Sequence, residues 1–150
     1  MIGAISRFAR ETRGTVVVET AIVLPVLAIL VLGGFEVSRI VARNSELQSA
    51  AAEAAAVVLA NPPGDNAEKA TIESIVESSS GLASDKVTLT TKYRCNASTT
   101  LVNLVSACAS TDEISEYIEI RMVDSYTPIW ASFGVGRTIN YDITRRVQIS

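Results

Sequence analysis

Three observations predict an α+β protein with a single membrane-crossing helix. One long apolar stretch lies near the start, an alanine-rich helical pattern follows it directly, and the second half switches to period-two alternation. The expected architecture is a long N-terminal helix, half in lipid and half amphipathic, packed on a small antiparallel sheet. With 150 residues the chain allows one ordinary domain plus an appended element. It contains no histidine, which removes imidazole acid–base catalysis, Ser-His and Cys-His nucleophilic pairs, and most imidazole-based zinc and haem sites. A net charge of −3 argues against a nucleic-acid-binding surface. Only 19% of residues are charged, so part of the apolar material should face lipid.

The apolar stretch runs from Thr15 to Phe35 with a single charge, Glu19. As a helix its roughly 21 residues rise about 31 Å, close to the thickness of a bilayer's hydrocarbon core. A globular domain of this size has little room for a helix that is apolar all round. Arg7, Arg10 and Arg13 precede it, opposed only by Glu11, so the start is expected to stay cytoplasmic and the remainder to be exported. Arg39 and Arg43 beyond the stretch make that asymmetry modest. A removable signal peptide shares the basic start, but the run is long for one and no small-x-small site closes it.

From Ser38 to about Ala60, Ile40, Val41, Leu47, Ala51, Ala54, Ala55, Val58 and Leu59 recur at helical spacing. Only Gly33-Gly34 intervenes, so one helix of about 45 residues is expected. Asn61-Pro62-Pro63-Gly64 ends it. Asp65 ahead of Glu68 reads as an N-cap, with Ile72, Ile75 and Val76 on the buried face of a second helix stopped near Gly81. Alternation then marks strands at Val87, Leu89, Thr91 and Tyr93, at Ile118, Ile120 and Met122, and from Ile139, Tyr141 and Ile143 toward Val147 and Ile149.

Cys95 and Cys108 flank Asn96 to Ala107, the excursion between the first two strands. Outside the cytoplasm they can form a disulfide worth about 3 kcal/mol on the chain-entropy model; two free buried thiols are the alternative. Asn96-Ala97-Ser98 fits the N-glycosylation pattern but is too common by chance to carry weight. Asp112, Glu113, Glu116 and Glu119 read as solvated residues at a strand entrance rather than a catalytic carboxylate pair. No catalytic residue, metal site or cofactor is expected.

Glu19 needs a physical reason to sit in an apolar helix. A carboxylate at the centre of a bilayer helix costs on the order of 3 kcal/mol on insertion scales. Cleavage between Gly14 and Thr15 would place a new α-amino group one turn away, or offer one to the Glu19 of a neighbouring copy. At about 4 Å and an effective dielectric of 20 that attraction is about 4 kcal/mol, enough to offset the insertion cost. The alternative is a carboxylate near the headgroups at the helix start, favoured by the dipole.

Arg13-Gly14, then Thr15-Val-Val-Val-Glu19, then an apolar run containing Pro25 and ending Gly34-Phe35-Glu36, resembles the N-terminus of prepilins. It is most similar to TadE-like proteins, the pseudopilins of the tight-adherence (Tad/Flp) pilus system. The matching positions are Gly14, Glu19, Ala21 and Pro25. The resemblance is strong over roughly the first 45 residues. Beyond them only Thr127-Pro128 before a short apolar segment, and a closing strand with Arg145 and Arg146, are similar to the family. Thr20 stands where major pilins of the system commonly have Tyr, and the chain is far longer than those subunits, so a minor pseudopilin is implied.

The resemblance implies a pilin-like fold and cleavage after Gly14 by a prepilin peptidase, with Thr15 as the mature first residue. The implied divisions are a cytoplasmic leader (1–14), a transmembrane helix (15–37), its amphipathic continuation (38–60) and an exported α+β head (61–150). The implied role is assembly of type IVb adhesive pili. Its partners would be the peptidase, other pilins and pseudopilins of the Tad system, the assembly platform in the bacterial inner membrane, and the lipid bilayer, with no nucleic acid. Ile22, Leu27 and Leu30, with Val23, Val26, Ile29 and Val31, would exchange lipid for neighbouring helices, and Pro25 would free the Ala21 carbonyl and bend the helix. The residues also admit an unprocessed single-pass signal anchor whose exported domain binds a ligand or partner.

Overall fold

The computed structural model describes residues 12–150, with side chains from Val16 onward. Residues 1–11, with Arg7 and Arg10, which the sequence reading assigns to a leader, lie outside the described residues, as do the side chains of Arg13 and Thr15. The elements are α1 (Thr12–Ala60), α2 (Asn66–Ser80), β1 (Val87–Cys95), β2 (Ile114–Tyr126) and β3 (Ile139–Gln148). Short 3-10 turns, Val105–Ala107 and Ile129–Phe133, interrupt the two inter-strand connections. This is the expected α+β class: a long apolar helix followed by a three-stranded antiparallel sheet. The chain divides into two units, one ending at Arg39 and the other covering Ile40–Ser150.

Within the second unit, the head, α1 buries Leu47, Ala51, Ala54, Ala55 and Val58. Their spacing is a one-face helical stripe. Two expected core residues fall elsewhere: Val41 and Leu59 are exposed. At 100° per residue both lie about 90° from the centre of the stripe, past its Ala55 edge.

Asp65 caps α2, accepting from the Glu68 N–H at 2.8 Å, while the Glu68 carboxylate accepts from Gly64 N–H at 2.7 Å. Gly81 ends the helix with φ 65°, the left-handed conformation that glycine adopts without strain. Ile72 and Val76 are buried but Ile75 is exposed, a second correction. An i, i+4 pair suffices because α2 rests on one edge of the core, and Ile75 lies about 100° from Val76.

The sheet order is β1-β2-β3, with registers Leu89↔Ile120 and Ile120↔Arg145 fixing which face each side chain takes. Val87, Leu89, Ile118, Ile120, Met122, Tyr141 and Val147 form one cluster with the α1 stripe, Ile72 and Val76. Ile139, Ile143 and Ile149 pack against it half-buried, and Thr91 and Tyr93 are likewise only half-buried. Arg145 has the same parity as Tyr141 and Val147 and is exposed. The outer edge of β1 is covered: Leu89 N–H donates to Glu73 Oε1 at 2.6 Å, and Tyr93 pairs with Val102.

One polar cluster fastens the first turns of the head. Arg43 Nε donates to Asp124 Oδ2 at 2.7 Å, and Arg43 Nη1 donates to Glu46 and to the Ser80 carbonyl. Partial burial works against the guanidinium charge, yet hydrogen bonds to Asp124 and Glu46 outweigh it and hold the group more firmly protonated than usual. Beside it, the Tyr141 hydroxyl donates to the Ile40 carbonyl at 3.1 Å. Burial, then the Asp124 charge, pushes that phenol above its ordinary value.

Candidate functional site

The first unit presents the candidate site on one helix. Val16, Ile22, Val23, Leu24, Val26, Leu27, Ile29, Leu30, Val31 and Leu32 are all exposed. By length and composition α1 from Val16 onward can cross a membrane. A helix whose apolar side chains all face outward has not found a core within its own chain. It is built to be covered by something else.

Glu19 lies on this surface. Val16, Thr20, Val23, Leu24 and Leu27 surround it on a shallow groove along the helix. Their i, i+3 and i+4 spacing lines them along one side of the helix over about three turns, so the carboxylate interrupts an apolar face. The Thr20 hydroxyl is turned inward and donates to the Val16 carbonyl at 2.7 Å, which satisfies it without any partner from outside the helix. The helix runs through Pro25 without a break, and Gly14 and Thr15 are already inside it. Arg39 stacks its guanidinium 5.8 Å from the Phe35 ring centroid, an aromatic–cation pair at the border of the apolar stretch.

Residues 14–56 match the TadE-like protein family. The matched segment begins at the Gly14–Thr15 bond, includes Glu19 and Pro25, and ends within the head's buried helical stripe. It points to a Tad pilus-related protein, and TadE-like proteins are pilus components not known as enzymes. No curated protein and no solved structure matches the chain.

In the head, Cys95 and Cys108 are joined as a disulfide with their Cα atoms 5.4 Å apart. It closes the excursion after β1, where Asn96 adopts φ 53° and spends both ends of its amide: Nδ2 donates to Asp112 Oδ1 and Oδ1 accepts from Glu113 N–H. The Asn96 amide of the glycosylation-like triplet is therefore occupied in holding the loop. Asp112 approaches the two sulfurs, but disulfide sulfurs offer no thiolate to a metal. Removing the crosslink with Cys95→Ser and Cys108→Ser should lower head stability by about 3 kcal/mol, read as a shifted denaturant midpoint. An unchanged midpoint would show that the Asn96 hydrogen bonds alone set the loop.

The acidic quartet differs from expectation. Asp112 and Glu113 do precede β2, but Glu119 lies in mid-strand, half-buried, and pairs with Arg146 at 2.6 Å and Lys92 at 3.7 Å. Cross-strand charge pairing, not solvation, explains it. Sequence reading also missed the Arg43–Asp124 pair, whose members are 81 positions apart and give no local signal.

Proposed function

We propose that this protein is a TadE-like minor pseudopilin of the Tad pilus system. The chain is inserted with its leader cytoplasmic and its head exported, is cut after Gly14 by a prepilin peptidase, and takes part in assembling type IVb adhesive pili. The observation that carries this reading is the coincidence of the family match with an outward-facing apolar helix that bears one carboxylate near its start.

Physical chemistry supports each step. Gly14 is a poor helix former, by about 1 kcal/mol relative to Ala, so the first turn can open to present the Gly14–Thr15 bond in extended form. Hydrolysis leaves an ammonium on Thr15 beside Glu19, a pairing that lowers the energy of both charges in a low-dielectric setting. The exposed faces of Ile22, Leu27 and Leu30 can then pass from lipid to the helices of other Tad pilins, and Pro25's missing donor is tolerated where neighbours re-satisfy the backbone. The disulfide fits an exported head, since such bonds persist outside the reducing cytoplasm.

The Gly14→Leu variant tests the processing step. In cells containing the peptidase it should accumulate at full length and fail to support piliation, because a branched side chain at the scissile residue crowds the backbone approach that catalysis needs. Mature-size protein with normal pili in that variant would refute the reading.

A further inference from the structure

We propose that the β2–β3 loop, residues 127–138, is a second membrane-contact element whose apolar tip enters the headgroup boundary of the bilayer. The proposal rests on reading α1 as membrane-spanning, and assigns a role to a loop outside the family-matched segment.

The loop is shaped to display apolar side chains. Phe133 is 79% exposed and Val135 63% exposed, and the Val135 N–H donates to the carbonyl of the half-buried Trp130 at 3.2 Å. Pro128 is buried and anchors the entry, the 3-10 turn Ile129–Phe133 follows, and the Thr127 and Thr138 hydroxyls meet at 3.1 Å across the neck. Gly134 and Gly136 both have positive φ, and a Cβ on Gly136 would come within 2.9 Å of Trp130 Nε1. The indole therefore lies against the Gly136 backbone. A fixed turn holding phenylalanine and valine in water is unfavourable unless something covers them.

Position identifies the cover. Asp124 holds Arg43, and the Tyr141 hydroxyl holds the Ile40 carbonyl, so the loop end of the β2–β3 hairpin is the end of the head at which α1 enters. The last strand pair, Tyr126↔Ile139, leads from there into the loop. Ile40 follows the last residue of the apolar stretch, Phe35, by only about 7.5 Å of helix rise. By chain length alone, that short tether leaves this end of the head within reach of the headgroup layer. Tryptophan is favoured at that depth, and the exposed Arg137 matches anionic headgroups. Lipid is the occupant these features select over a second copy of the chain, because it is present at the tether before any assembly.

Trp130 is the sole tryptophan in the chain, which makes it a direct reporter. The full-length protein would be reconstituted into phosphatidylcholine–phosphatidylglycerol vesicles carrying brominated lipids, and insertion of α1 checked by resistance to carbonate extraction. We expect bromine near the headgroup end of the acyl chains to quench Trp130 more than bromine near the chain ends. The F133S/V135S double variant, changed only at exposed positions, should lose that depth preference while unfolding at the same denaturant midpoint. An inserted chain whose emission ignores bromine would overturn the proposal. So would emission that responds to protein-to-lipid ratio instead, the signature of contact between copies. Release of the chain by carbonate would instead fail the membrane reading itself, and the loop proposal with it.

Discussion

Glu19→Ala should abolish pilus assembly while leaving the protein in the membrane. The charge is a burden on insertion, about 3 kcal/mol at the bilayer centre, so its removal cannot reduce membrane retention. Its benefit arises only once an amino terminus is nearby, where about 4 kcal/mol at an effective dielectric of 20 corresponds to roughly a thousand-fold in association. Glu19→Gln keeps the shape and loses the charge, and should behave like the alanine variant. Membrane fractionation and counts of surface pili by electron microscopy separate the two effects. Normal piliation in both variants would show that the carboxylate has no assembly role.

Ile120→Ala should be among the most damaging single changes in the head, by about 2–5 kcal/mol, a large share of the 5–15 kcal/mol typical of a whole domain. Ile120 is fully buried at the middle of the central strand, opposite Leu89 on one side and Arg145 on the other. The cavity it leaves lies inside one close-packed cluster, whose residues can relax into it only in part. Ile75→Ala, on the exposed side of α2, should fall within about 0.5 kcal/mol of the parent protein. Denaturant unfolding of the detergent-solubilised full chain compares the two. Equal losses would mean that the core is not where the burial pattern puts it.

The fold was legible wherever a local period carried the signal. The 3.6-residue repeat from Leu47 to Val58, the two-residue repeat through Ile118, Ile120 and Met122, and the Asp65 cap each predict their own neighbourhood, because the physics that forms them acts over a few residues. Val41, Leu59 and Ile75 mark the limit. Each is apolar at roughly helical spacing, but the buried stripe is only as wide as the surface facing it, and that width depends on strands far along the chain.

The candidate site divides in the same way. Gly14, Glu19 and Pro25 stand out because a charge and a helix breaker are conspicuous in an apolar run. The Ile129–Val135 tip has no period and no motif, and its significance comes from exposure and from the hairpin that carries it, whose Asp124 and Tyr141 bond Arg43 and Ile40. Glu119 departs from expectation for the matching reason: its partners Lys92 and Arg146 belong to two other strands.

The proposed processing would unite the helix, the carboxylate and the assembly role, and one mass decides it. Intact-mass and N-terminal peptide mass spectrometry of the protein purified from its native membrane should find a chain beginning at Thr15. A chain beginning at Met1 in cells with an active prepilin peptidase would contradict pseudopilin maturation and favour an unprocessed membrane anchor.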